Sequence, residues 1–279
     1  MKVRCGICHH DCNLADGQLG LCRARRNRNG TIICENYGRI TSLALDPIEK
    51  KPLYRFRQGS KILSVGSYGC NMRCLFCQNC EISMADPDGS TDKIRWVEMS
   101  PEELVERAVA LKPRGNVGIA YTYNEPFIGY EFVMDCAKLA HERGLVNVAV
   151  TNGCITAEPL IAIIPYFDAM NIDLKSFDHD FYKRMGGDLD TVLNSIKIAT
   201  EHCHVEVTTL IIPGENDTEE EMEELASWLA GVDQNITFHA TRFFPSWKIK
   251  DRRPTPVNKV YGLAEVARRY LKNVFVGNC

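Results

Sequence analysis

The chain has no unbroken apolar stretch of the roughly 18 residues that a membrane-spanning helix needs. No secretory hydrophobic core follows its start either, because Met1 to Cys12 is polar and already carries three cysteines. Membrane and export classes are therefore set aside, and a cytoplasmic location is the expectation. Charge of one sign is also missing: 33 basic and 36 acidic residues leave a net charge of -3, which gives no overall pull toward nucleic acid. Arg23, Arg25, Arg26, Arg28 and Arg39 do cluster, but a solvated face accounts for them as well as a binding patch does. Low-complexity tracts and internal repeats are absent apart from a strand-helix alternation, which argues against a disordered or solenoid protein. Neither nucleic acid nor membrane is expected as a partner.

Cysteine, in contrast, is abundant. Thirteen in 279 residues, with no export signal, point to metal ligation in a reducing compartment more than to disulfides. Two groups stand out, Cys5, Cys8, Cys12 and Cys22 near the start and Cys70, Cys74, Cys77 and Cys80 further on. Cys34, Cys136, Cys154, Cys203 and Cys279 are scattered and read as small hydrophobic residues. A hydrophobic fraction of 45% beside 25% charged residues provides for a buried core.

From residue 60 short apolar runs alternate with amphipathic stretches, as in repeated βα units around a parallel sheet. The expected strands are Lys61 to Gly66, Asn116 to Tyr121, Val146 to Thr151, Asp168 to Asp173, His204 to Ile212 and Asn235 to Thr241. Helices are expected over Pro101 to Leu111, with Ser100 and Glu103 as a capping box, over Pro126 to Arg143, and over Asn258 to Lys272. Asp217 with Glu220 suggests a second capping box, and Asp86 to Asp92 a loop. The fold class expected is α/β: a partial (β/α)6 TIM-like barrel over residues 60–279, preceded by a small cysteine-rich metal-binding lobe over residues 1–59.

The loop after the first of these strands reads SYGCNMRCLFCQN, a CxxxCxxC spacing of Cys70, Cys74 and Cys77. Three thiolates on one short loop leave an iron of a cubane cluster open to another ligand, whereas structural zinc and electron-carrying clusters take four. A zinc knuckle that recruits Cys80 as its fourth ligand is the alternative. Polar residues gather just past the other strands, where parallel barrels place their chemistry. They are Tyr123, Asn124 and Glu125, then Thr151 and Asn152, then Asp173 and Lys175, with Pro213 to Asp217 and Arg242 further along. Asn152 and the 213–217 segment are equally readable as turn chemistry, His239 as a core histidine with a substrate-side role in reserve, and Tyr68, Tyr121 and Tyr123 as packing or mouth residues.

The cysteine loop, its FCQN continuation and the chain beyond it resemble the radical S-adenosylmethionine superfamily. The likeness is to the pyruvate formate-lyase activating enzyme branch and, within it, to the radical enzymes of the AmmeMemoRadiSam system. The resemblance implies a 4Fe-4S cluster on Cys70, Cys74 and Cys77 whose open iron chelates S-adenosylmethionine. It also implies an external one-electron donor, reductive cleavage to methionine and a 5'-deoxyadenosyl radical, and hydrogen abstraction from a protein partner or a small-molecule substrate. Tyr123, Asn124 and Glu125 stand where relatives carry Gly-Gly-Glu, and Asp173 and Lys175 match an Asp-x-Lys motif, so these residues are expected at the cosubstrate.

Cys5, Cys8, Cys12 and Cys22 form a four-thiol set suited to zinc or to an auxiliary iron-sulfur cluster. His9 and His10 read either as substitute ligands or as two exposed histidines. Four thiolates close a site, so this one is expected to be structural or electron-relaying and independent of S-adenosylmethionine binding. Two other classes remain: a cysteine-rich electron carrier or redox sensor without substrate chemistry, and a zinc-ribbon adaptor.

Overall fold

The computed structural model describes residues 1–88 and 94–279. Its main sheet has eight strands: β1 (Ser42–Pro47), β2 (Lys61–Gly66), β3 (Asn116–Tyr121), β4 (Val146–Thr151), β5 (Ala169–Asp173), β6 (His204–Ile211), β7 (Thr237–Arg242) and β8 (Asn273–Gly277). Their order follows the chain from β1 at one edge to β8 at the other. β2 to β8 run parallel, while β1 pairs antiparallel with β2, Ser42 opposite Gly66 and Pro47 opposite Lys61. This is the partial TIM-like barrel expected, with two strands beyond the six units counted. β8 lies at the end of the sheet, parallel to β7. β1 belongs to the segment ahead of residue 60, yet it is hydrogen-bonded into the barrel sheet.

Strands β3, β4 and β5 are near-continuous buried runs, as a sheet covered on both faces requires. The helices supply the outer cover. Helix Pro101–Ala110 starts with Pro101 at its first position and a complete capping box, the Ser100 hydroxyl accepting from the Glu103 amide at 3.2 Å and the Glu103 carboxylate from the Ser100 amide at 2.8 Å. It buries Leu104, Val105 and Ala108, the two larger side chains contributing about 1.5–3 kcal/mol each.

Three expected boundaries move for local reasons. Helix Glu219–Val232 is capped by Thr218, because Asp217 turns back to accept from the Gly214 amide at 2.8 Å. Pro126–Gly129 forms a tight turn before helix Tyr130–Glu142. The last helix is Val257–Arg268, since residues 269–272 turn the chain into β8. Of the loop read over Asp86 to Asp92, residues 89–92 lie outside the described residues.

The segment between β1 and β2 fills the lower interior of the barrel. Ile48, Leu53 and Phe56 pack with Ile62, Ala120, Val148 and Ala169. The Tyr54 and Arg55 amides donate to the buried Glu206 carboxylate at 3.0 and 2.7 Å, and Asn171 donates to the Pro52 carbonyl at 2.9 Å. The barrel is thus plugged from below by its own chain, leaving its upper, C-terminal mouth to the site.

Candidate functional site

The cysteine loop leaves β2 at Gly66 and is held close on both sides. A Cβ on Gly66 would lie 2.9 Å from the Thr122 carbonyl and from Tyr123. Gly69 has φ +87°, and a Cβ there would meet the Cys22 carbonyl at 2.4 Å, so glycine alone fits both the dihedral and the space. Asn124 ties this loop to the next strand end: its side-chain oxygen accepts from the Ser67 amide at 3.0 Å, and its amide group donates to the Gly69 carbonyl at 3.1 Å.

Cys70 sulfur accepts from the Met72 amide at 3.4 Å and from the Asn152 side chain at 3.6 Å. At Cys77 the amide of Asn79, two residues on, counters the upward push of burial. Burial pushes all three thiols upward, Cys70 well above the ordinary range and Cys74 to about 11. Desolvated sulfurs that receive N–H donors suit a bound thiolate whose charge a metal compensates. The donor set therefore fits an iron-sulfur group.

Opposite the loop, Glu125 is buried and its carboxylate is committed. It accepts from Thr151 Oγ1 at 2.8 Å, from the Asn152 amide at 2.8 Å and from the Phe127 amide at 3.1 Å. Burial raises its pKa to about 7 despite these donors. Glu125 thus stitches the ends of β3 and β4 together, with little capacity left for the ligand ammonium it was expected to meet. Asn152 passes the order on: its amide group donates to Asn71 Oδ1 at 2.8 Å, and Asn71 in turn donates to the Cys154 carbonyl at 3.0 Å.

Past β5, Lys175 Nζ pairs with Asp173 at 2.7 Å. Burial opposes the charge on Lys175, but Asp173 and the Cys74 sulfur outweigh it and hold its pKa above the ordinary lysine value. A cavity of about 380 Å³ gathers these parts, lined by Cys70, Cys74, Cys77, Tyr123, Asn124, Glu125, Thr151, Asn152, Asp173 and Lys175. All ten residues expected at the cluster and cosubstrate therefore share one pocket at the barrel mouth.

The same cavity shows what the sequence reading missed. Lys51 and Pro52 from the interior segment, Thr208, Leu210 and Thr241 on inward faces of β6 and β7, and Asn278 after β8 also line it. Lys51 is buried, paired with Asp46 at 2.9 Å and set over the Tyr123 ring at 4.7 Å, while the Tyr123 hydroxyl donates to the same Asp46 oxygen at 2.9 Å. Inward alternation along β6 and β7 was the available signal for the threonines. Nothing local announces Lys51, which arrives from outside the alternating region.

Several candidates lie elsewhere. His239 Nε2 donates to the Glu206 carboxylate at 2.6 Å and its ring stacks on Phe275, in the plugged lower barrel, which is the core-histidine reading rather than the substrate-side one. Tyr121 is buried with its hydroxyl 3.2 Å from Asn147 Oδ1, and Tyr68 is buried against Arg39, away from the mouth. Asn216 supports the site from behind, donating to the Lys175 carbonyl at 2.6 Å.

The N-terminal set repeats the local turn of the loop. The His10 amide at Cys8 and the Ala24 amide at Cys22 counter the upward push of burial, and each thiol lies in the field of other members of the set. Burial raises Cys8 to about 12 and Cys22 to about 11. His9 and His10 are not exposed: they are partly buried with rings 4.0 Å apart, and His10 Nε2 lies 2.8 Å from the Asn71 carbonyl. The Cys70 amide donates to the Cys22 carbonyl at 3.2 Å. The two sets are thus joined through backbone rather than structurally independent. Among the described residues, no three His, Cys, Asp or Glu side chains converge as ligands of a single metal ion would.

Residues 64–229, which include the loop and the ends of β2 to β6, match the radical SAM superfamily. The chain belongs to that superfamily. A radical SAM enzyme carries a 4Fe-4S cluster and uses S-adenosylmethionine. An uncharacterized protein of Methanocaldococcus jannaschii is 42% identical over 286 residues, covering 99% of this chain and 81% of its own. The pyruvate formate-lyase-activating enzyme of Clostridium pasteurianum is 26% identical over 169 residues, 59% of this chain and 67% of that enzyme. Streptococcus suis SuiB bound to S-adenosylmethionine shares the radical SAM fold, with a TM-score of 0.56 and 14% identity over 78% of this chain and 52% of that one. Among the described residues no helix is long and apolar enough to cross a membrane.

Proposed function

We propose that Cys70, Cys74 and Cys77 hold a 4Fe-4S cluster at the barrel mouth, and that the enzyme reductively cleaves S-adenosylmethionine there to abstract hydrogen from a substrate. The observation that carries the reading is the cavity uniting the three thiols of the loop, Cys74 buried and Cys70 and Cys77 partly so, with Glu125, Asn152, Asp173 and Lys175 at the strand ends. When bound, the cluster supplies one electron and an iron with an open coordination position. The chain supplies the rest. Asn152 donates toward Cys70 and steadies its charge, Lys175 offers a buried cation for a carboxylate, and Asp173 orients it. Tyr123, Asn124 and Glu125 shape the opposite wall, and in this reading they act mainly by ordering Thr151 and the cysteine loop. The likeness to the Clostridium pasteurianum activating enzyme supports an activating-enzyme-like reaction, with a protein partner or a small molecule as the substrate. The N-terminal thiols are proposed as a second metal site, zinc or iron-sulfur, that does not bind S-adenosylmethionine.

The test is anaerobic reconstitution followed by dithionite and S-adenosylmethionine, with chromatography for 5'-deoxyadenosine and methionine. Equal amounts of both products support the reading. Their absence when an open-iron cluster is spectroscopically present refutes it, and leaves the electron-carrier alternative.

A further inference from the structure

The inward side of the cysteine loop faces the cavity, which a cosubstrate and a substrate would fill, so an electron has to arrive from the outer side. That side is strongly basic although the chain as a whole carries -3. The segment after β7 folds back onto the loop: the Lys248 amide donates to the Leu75 carbonyl at 3.0 Å, and Ser246 Oγ to the Cys77 carbonyl at 3.2 Å. It presents Lys248, Lys250 and Arg253 to solvent around the half-buried Trp247, whose ring lies 4.8 Å from Lys248 Nζ. On the other flank the Arg73 amide donates to the Met185 carbonyl at 2.7 Å, which brings the exposed Lys183 and Arg184 beside the loop. Of the acidic residues, Glu215 is paired with Arg184 and Arg252 and Asp251 is exposed within the segment, while exposed Asp178 and Asp180 lie at the start of the helix that carries Lys183 and Arg184, and exposed Glu81 follows the loop.

We infer that this basic, aromatic-centred surface over residues 246–253 docks an acidic one-electron carrier protein, which delivers its electron through the outer face of the Cys74–Cys77 turn. Opposite charge steers encounter and aligns the carrier, while the tryptophan gives an apolar contact at the centre. The carrier is oxidised by one electron and the site reduced by one, with no bond made or broken at this step. The inference rests on the reading of Cys70, Cys74 and Cys77 as cluster ligands.

The test compares the reconstituted native protein with its K248E/K250E/R253E variant, following the bleaching of visible absorbance in stopped flow. The reductants are dithionite and a reduced acidic ferredoxin, at low and at near-physiological salt. Reduction by ferredoxin should slow about tenfold or more in the variant at low salt, and the native rate should fall as salt rises. The dithionite rate should stay within about twofold, and an unchanged circular dichroism spectrum checks the fold. Ferredoxin rates that match between the two proteins, or a native rate indifferent to salt, overturn the proposal. Tight binding of a DNA oligonucleotide to this surface without ferredoxin binding does so as well. If dithionite reduces neither protein, the cluster reading itself falls and the docking proposal with it.

Discussion

The two cysteine groups use one local device in two settings. In both, burial raises a thiol and the backbone amide two residues ahead counters the rise, that of His10 at Cys8 and that of Met72 at Cys70. The loop group opens onto a cavity of about 380 Å³ whose far walls are the ends of β3, β4 and β5. At the N-terminal group Cys12 borders a separate cavity with Asn13, Gln18, Arg23, Arg73 and Asp86, and the group presses its backbone against the loop, through the Cys22 carbonyl and His10. Similar ligand turns therefore do not make equivalent sites. The difference lies in which strand ends stand opposite, and the lobe's contribution is to hold the loop.

The sharpest way to break this comparison is to remove one thiol from each group. Cys74→Ala should abolish both the cluster absorbance and 5'-deoxyadenosine formation, because two thiolates do not seat a cubane. Cys8→Ala should lower lobe stability or metal content while the loop cluster still assembles. Iron counting and electron paramagnetic resonance on both variants decide it, and equal iron loss from the two would erase the distinction.

Glycines test the junction next. Gly69→Ala places a methyl 2.4 Å from the Cys22 carbonyl at φ +87°, whereas Gly17→Ala has a similar φ of +75° and nothing within 4 Å. The first should cost about 3 kcal/mol or more and the second about 1 kcal/mol, the bare cost of the left-handed backbone. Urea denaturation of the two variants gives the comparison. Equal losses would mean that lobe and loop are not tightly apposed.

Glu125 has no counterpart at the N-terminal thiols and gives a pH signature. Its pKa is raised from 4.5 to about 7 by burial, so the folded state binds more protons than the unfolded state between those values. Stability carried by this group is full below pH 4.5 and declines as pH rises toward about 7, by about 3 kcal/mol in all. Glu125→Gln should flatten that decline. Denaturation midpoints of the apoprotein between about pH 4.5 and 7.5 show whether the slope disappears.

Much of the site was legible because its chemistry is local. The CxxxCxxC loop and the polar residues after apolar runs name themselves, and a parallel barrel then brings them together at one mouth. What escaped notice depends on long-range packing. β1 pairs with β2 across the whole 48–60 segment, and Lys51 reaches the cavity only because Ile48 and Leu53 anchor that segment inside the barrel. The substrate-side role held in reserve for His239 rested on its place near the end of β7, yet its bond to Glu206 belongs to the lower interior, as the core reading expects. The contact between Cys22 and Cys70 could not be read at all, since a backbone carbonyl leaves no mark in the sequence.

The smallest effect expected concerns the other strut between lobe and loop. His10 Nε2 meets the Asn71 carbonyl at 2.8 Å, while the Asn71 side chain is held separately by Asn152 and the Cys154 carbonyl. Removing the imidazole in His10→Ala should therefore cost about 1 kcal/mol, the net worth of one neutral hydrogen bond. The Cys70 sulfur would keep its donors from Met72 and Asn152. S-adenosylmethionine affinity, measured by calorimetry on the reconstituted protein, should change less than about threefold, since the loop retains the Cys22 contact. A much larger loss of affinity in a folded, cluster-loaded His10→Ala variant would show that the lobe shapes the cosubstrate pocket itself, and the two groups would then have to be treated as one site.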